Sequence, residues 1–285
     1  MPMVNITAWE DARSVRITGH GLDLEEPYEL AEGVVLTPDV HALSLKGLER
    51  CETIKVRASV ETMHEIATFS IEVHDERGGT SLANKGWSSL WDFHLLSLAG
   101  KSPCFILYSA SVGRHGATYS VANRNLILSP LGIIRVLDSA DLDWARANRP
   151  SFRDLISNQQ FSSAMRYFGN AHYLFDLEHR IMLLWAGIEG LLQVDAEHNR
   201  RIALYSAILL DGDPEEKSAR FDLVKKSYSL RSRVVHGSKP TKEKLEAGYE
   251  EATDLLVDLL RRCVELGRVP SREELDRASF SSSLG

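Results

Sequence analysis

The chain reads as an α+β protein, a mainly-β N-terminal domain over residues 1–145 followed by an all-α helical bundle over residues 150–285. Two observations predict this. Apolar residues alternate with polar ones through the first half, whereas from about Ser151 they recur with a period of about 3.6 residues. The length of 285 residues suits two domains of ordinary size, and 44% hydrophobic with 26% charged residues is an ordinary globular composition.

In the first half, Lys55–Glu61 and Thr68–Val73 alternate as half-exposed antiparallel strands do, with a turn at Asp75–Gly79 after the second. Val34–Leu36, Phe105–Tyr108, Leu126–Leu128 and Ile133–Leu137 are further strand candidates, and Gly113-Arg114-His115-Gly116 reads as a hairpin tip. Trp87–Leu98 is predicted as a short helix lying on the sheet. The expectation is a sandwich or a strongly curved sheet. Residues 138–155, with Asp138, Asp141, Asp143 and Pro150, are read as the boundary.

In the second half, helices are predicted over Phe161–Phe168, Asp176–Val194 and Glu197–Leu210. Asp213-Pro214-Glu215-Glu216 opens a fourth with a capping residue, a first-turn proline and an acidic third position. Its apolar stripe is read as Leu223, Ser227, Leu230 and Val234, and it closes at Gly237. A fifth helix spans Lys242–Leu266, and Ser271-Arg272-Glu273-Glu274 is a capping box for a short last one.

Several function classes are disfavoured. No apolar run approaches the roughly 20 residues of a membrane span, and no signal-peptide core is visible, so the expectation is a cytoplasmic chain without membrane association. Cys51, Cys104 and Cys263 are too far apart for a metal knuckle, and no metal or other cofactor is expected. The net charge of -7 argues against nonspecific coating of nucleic acid. Locally, nine basic residues between Lys217 and Lys244, among them Lys225, Arg231, Arg233 and Lys239, face only Asp222 and Glu243. Solvated helix faces explain such a run as readily as a phosphate-handling patch.

The segment Tyr228-Ser229-Leu230-Arg231-Ser232-Arg233-Val234-Val235-His236-Gly237 pairs an arginine with a histidine. That pair suffices for metal-free cleavage of a phosphodiester: histidine moves protons near neutral pH and arginine holds phosphate oxygens in a fork. Spacing alone says little, because an Arg and a following His with four to six residues between them also occur at Arg13/His20, Arg57/His64 and Arg166/His172. On a straight helix Arg231 and His236 stand about 140° apart. One copy therefore supplies a loose pair, and a two-fold-related second copy is needed to close a shared cleft. Glu189, inside the apolar stretch Leu183–Leu192, is costly to bury unpaired, and Arg231 is its expected partner.

The run Trp185-Ala186-Gly187-Ile188-Glu189-Gly190-Leu191-Leu192, followed by Tyr228–Gly237, resembles the HEPN superfamily, in particular its Apea-like branch; the likeness covers about residues 155 to 266. The resemblance implies a bundle that forms homodimers and, in many members, a metal-independent endoribonuclease in phage defence or toxin–antitoxin systems. It implies His236 as the proton-transfer group, Arg231 on the scissile phosphate, Ser232 as the polar residue beside it and Glu189 as the upstream acid. Arg233, Tyr228, Lys225 and Lys239 are the candidate RNA contacts. RNA is the implied substrate and an antitoxin or regulatory protein the implied partner. The alternative is an inactive HEPN-like dimerisation or binding module, with a ligand- or partner-binding β-rich domain.

Overall fold

A computed structural model of the chain describes residues 6, 8, 10–113, 116–121, 134–235, 237 and 240–279. In chain order the described elements begin with β1 (Ser14–His20), β2 (Leu22–Asp23), β3 (Tyr28–Ala31), β4 (Val34–Thr37), α1 (Leu45–Leu48), α2 (Ile54–Glu65) and β5 (Phe69–His74). There follow α3 (Gly79–Ala99), β6 (Phe105–Gly113), β7 (Gly116–Val121), β8 (Arg135–Val136) and α4 (Ser139–Leu155). Two compact units divide between Arg149 and Pro150, inside α4. The stretch expected to separate the domains is thus itself helical.

The first unit is a mixed α/β sheet domain, a correction to the mainly-β expectation. Six strands form one antiparallel sheet in the order β3-β4-β5-β1-β6-β7. Alternation gives it two unlike faces. Val15, Ile17 and Gly19 of β1 stand opposite Val73, Ile71 and Phe69 of β5, and α3 covers this apolar face. A side chain at Gly19 would collide with Phe93 of α3 and Phe69, so glycine is what lets the helix lie this close. On the other face Arg16 stands opposite Glu72 and Thr18 opposite Ser70, under α1 and α2. No second sheet is needed, because a 21-residue helix that buries Leu82, Leu90, Phe93, Leu95, Leu96 and Leu98 already covers the apolar side.

Lys55–Glu61 is helical, not a strand. Thr53 caps α2 by accepting from the Val56 N–H (3.2 Å), and Arg57 pairs with Glu61 one turn on (3.0 Å). The buried Val60 and Met63 continue from Val56 at helical spacing, and that longer pattern overrides the seven-residue alternation. The strand expected at Ile133–Leu137 is only Arg135–Val136, paired in parallel with β2. Gly113 and Gly116 face each other across the β6–β7 hairpin as expected. Arg114, His115 and Leu126–Leu128 lie outside the described residues.

The second unit is all-helical: after α4 come α5 (Gln159–Ala171), α6 (Leu177–Leu191), α7 (His198–Leu209), α8 (Pro214–Val235), α9 (Lys242–Leu266) and α10 (Arg272–Ala278). Helix α6 packs against α5, α7, α8 and α9. It buries Ile181, Leu184, Trp185, Ile188 and Leu191, and Gly187 lets α5 and α9 approach, with Tyr167 and Leu256 within 3.3 Å of where a Cβ would stand. The capping expectations hold. Asp213 accepts from the Glu216 N–H (2.8 Å) while Glu216 accepts from that of Asp213 (3.0 Å), and Ser271 and Glu274 form the same reciprocal box. On α8, however, the buried stripe is Val224, Ser227, Tyr228 and Leu230, whereas Leu223 is exposed. One residue of rotation around the helix places Tyr228 inside. No described helix is long and apolar enough to cross a membrane.

Candidate functional site

The expected partners Glu189 and Arg231 meet. Glu189 projects from the last turn of α6 and Arg231 from the C-terminal part of α8, with Arg231 Nη2 3.1 Å from Glu189 Oε1. The side chains are 18% and 25% exposed, so the pair is shielded on one side and open on the other. The Tyr228 hydroxyl donates to the same oxygen at 3.2 Å, and the Arg231 guanidinium stacks over the Tyr228 ring, 5.4 Å from its centre. Beneath lies Trp185, edge-on to Tyr228 with ring centres 5.2 Å apart and fully buried. Burial, reinforced by the Glu189 carboxylate, raises the Tyr228 phenol above its ordinary value, so it remains a donor.

The arrangement orients a guanidinium. Nη2 is committed to Glu189, whereas Nε is buried with no acceptor among the described residues. A buried donor left unpaired costs about 1–3 kcal/mol.

The other candidates are more scattered. Ser232 is half-buried beside Arg231, while Arg233 and Lys225 are exposed, Lys225 lying 5.7 Å from the Phe221 ring centre. Tyr228 is only 8% exposed; it supports Glu189 from within the bundle. His236 and Lys239 lie outside the described residues. The basic run is partly neutralised, Lys217 by Asp211 at 2.8 Å and Lys242 by Glu246 at 3.4 Å. Among the described residues no three His, Cys, Asp or Glu side chains converge as metal ligands would.

His172 is buried against Phe168 and bonded through Nδ1 to the Tyr249 hydroxyl. Burial, with Arg180 nearby, pushes its pKa down to about 3. The aromatic support under the ion pair was unforeseen, although Trp185 and Tyr228 sit at apolar positions of two facing helices. Their spacing to Glu189 and Arg231, four and three residues, is the signal that would have revealed it.

No protein-family model, curated protein or solved structure matches this chain.

Proposed function

We propose that the helical unit is a HEPN-like, metal-independent endoribonuclease acting as a homodimer. The supporting observation is the Glu189–Arg231 pair, in which a half-shielded carboxylate and a tyrosine aim one guanidinium at the end of α8. In this reading Arg231 binds a non-bridging phosphate oxygen and stabilises charge as it develops. His236 accepts the 2′-hydroxyl proton as that oxygen attacks phosphorus. The bond to the 5′-oxygen breaks, and the imidazolium returns the proton to the departing oxygen. The products are a 2′,3′-cyclic phosphate and a free 5′-hydroxyl.

Purified protein is incubated with a panel of structured and single-stranded RNAs in EDTA. Wild type is expected to cut at least one of them, and Arg231→Ala or His236→Ala to lower the rate by about 100- to 10,000-fold. If wild type and His236→Ala are equally inert on every RNA, the catalytic reading fails.

A second reading draws on the same pair: the guanidinium is three-quarters buried and stacked on Tyr228, as a helix clamp would be. A non-catalytic HEPN-like assembly module then predicts that Arg231→Ala lowers stability or dimerisation. It also predicts that overproduced wild type is not toxic to its host.

A further inference from the structure

The polar face of the six-stranded sheet contains a built cavity that none of the preceding chemistry uses. Across neighbouring strands, Glu72, Arg16, Ala110 and Tyr119 stand in one register row, and Ser70, Thr18, Tyr108 and Val121 in the next. Residues opposite one another share a face. Ala110 is the small member of its row, set between a guanidinium and a phenol. Adjacent strands lie about 4.8 Å apart, so Arg16 and Tyr119 rise from strands about 10 Å apart with only a methyl group between them. The segment around Ala42 to Ser44 closes this gap from above. The result is a cavity of about 270 Å³ bounded by Arg16, Thr18, Tyr108, Ala110 and Tyr119.

The polar groups around it are oriented and incompletely used. Arg16 directs Nε and Nη2 to the single oxygen Glu72 Oε1, at 3.0 and 2.7 Å. Among the described residues its Nη1 has no acceptor. The Tyr119 hydroxyl accepts from the Ser44 N–H at 2.8 Å, which leaves its own proton to donate. The Tyr108 hydroxyl is held by His64 Nδ1 at 2.8 Å, and its ring meets that of Tyr119 edge-on, 6.1 Å between centres. At the rim, Gly116 has φ +105°, and Arg50 Nη1 lies 3.0 Å from where its Cβ would be. The exposed Arg50 guanidinium thus rests over the hairpin at the cavity edge. An aromatic corner made by two touching rings, a small floor, one lining guanidinium and a second at the rim suit a small aromatic anion.

We propose that this cavity binds a small aromatic anion, a single ring bearing a carboxylate or phosphate, with the ring over Ala110 against the corner formed by Tyr108 and Tyr119, the anionic group toward Arg16, and Arg50 at the rim adding to the positive field. The site lies wholly in the first unit and stands whether or not Arg231 cuts RNA.

The test is calorimetric titration of the full chain with benzoate, phenyl phosphate and the neutral benzamide. At least one of the two anions is expected to bind with a dissociation constant of about 1 mM or below, and benzamide at least about tenfold more weakly. The better anion shows which headgroup the site prefers. Ala110→Leu, which fills the floor, is expected to weaken that anion at least about tenfold, and the exposed Arg50→Ala about three- to tenfold. The proposal is overturned if neither anion binds up to about 10 mM, if benzamide binds as tightly as the anions, or if both variants bind like wild type. Should Ala110→Leu fail to fold, Arg50→Ala decides alone: an unchanged affinity overturns the proposal.

Discussion

Each unit of this protein contains an arginine–glutamate pair of similar exposure, and the two are built differently. Arg16 and Glu72 face each other on neighbouring strands, so backbone register alone brings them together, and two guanidinium nitrogens share one carboxylate oxygen. Arg231 and Glu189 sit on separate helices with 41 residues between them. They meet only because α6 and α8 pack through Trp185 and Tyr228. The sheet pair uses its guanidinium more fully. The helix pair shares its carboxylate with a tyrosine and leaves Nε buried without an acceptor. A pair set by register is brought together by the backbone ladder itself, whereas a pair set by tertiary packing depends on the side chains packed beneath it.

The largest test of this difference is functional. If the helix pair aims Arg231 at phosphate, Glu189→Ala lowers RNA cleavage by about 100-fold through misplacement of the guanidinium. Glu72→Ala should leave the rate within about twofold, because the sheet pair takes no part in the proposed chemistry. Initial-rate measurements on one RNA settle both, and equal losses from the two changes would remove the distinction.

Acid should act on both units next, and to lower pH on the helical one. Folding keeps His172 neutral down to about pH 3, whereas in the unfolded chain it takes up a proton near about 6.5. The unfolded state therefore binds more protons between those values. The stability of the helical unit falls as pH drops below about 6.5, by about 1.4 kcal/mol per pH unit from this group. Burial raises the Glu72 carboxyl, but the Arg16 fork, with His41 and His74 nearby, outweighs it and leaves the group below its usual value. Its contribution is complete above the ordinary carboxylate range and is lost only as pH falls through that lower folded value. The first unit holds a similar group, for burial lowers the pKa of His94 to about 4. Denaturation followed from pH 7 downward, with probes in each unit, should show both units losing stability below about pH 6.5, with the loss from His94 levelling off at about pH 4 and that from His172 continuing to about pH 3.

The smallest effect is in direct coupling. Double-mutant cycles should give about 1 kcal/mol for Arg16 with Glu72 and less for Arg231 with Glu189, because part of the second cost falls on Tyr228. Adding Tyr228→Phe to the second cycle should change its coupling more than His74→Ala changes the first, since His74 Nε2 lies 3.5 Å from Glu72 Oε2, the oxygen that Arg16 does not use.

Legibility followed the range of the interactions. Helix starts at Asp213 and Ser271 were readable because a cap and its partner stand three residues apart. Lys55–Glu61 was misread because seven residues satisfy a two-residue and a helical period together, and only Thr53 and Met63 outside that window decide. Leu223 was assigned inward by type, yet the bundle buries Val224 and Tyr228 instead. Within the site, the Glu189–Arg231 pairing was inferred from the cost of an unpaired buried charge. Tyr228, expected to contact RNA, instead turns inward to support Glu189, and the place of Trp185 beneath it is not legible because an aromatic residue on an apolar helix face looks like any other core position.

By itself the sequence determined the change from sheet to bundle near residue 150, the places where helices begin, and the need for Glu189 to find a cation. These are local or charge-balance constraints, expressed within a few residues or a single side chain. Tertiary structure decided which face of α8 turns inward, that Tyr228 supports the ion pair, and that Arg16, Ala110 and Tyr119 line up around a gap. Those outcomes depend on register and helix rotation, which are set by packing between segments far apart in the chain.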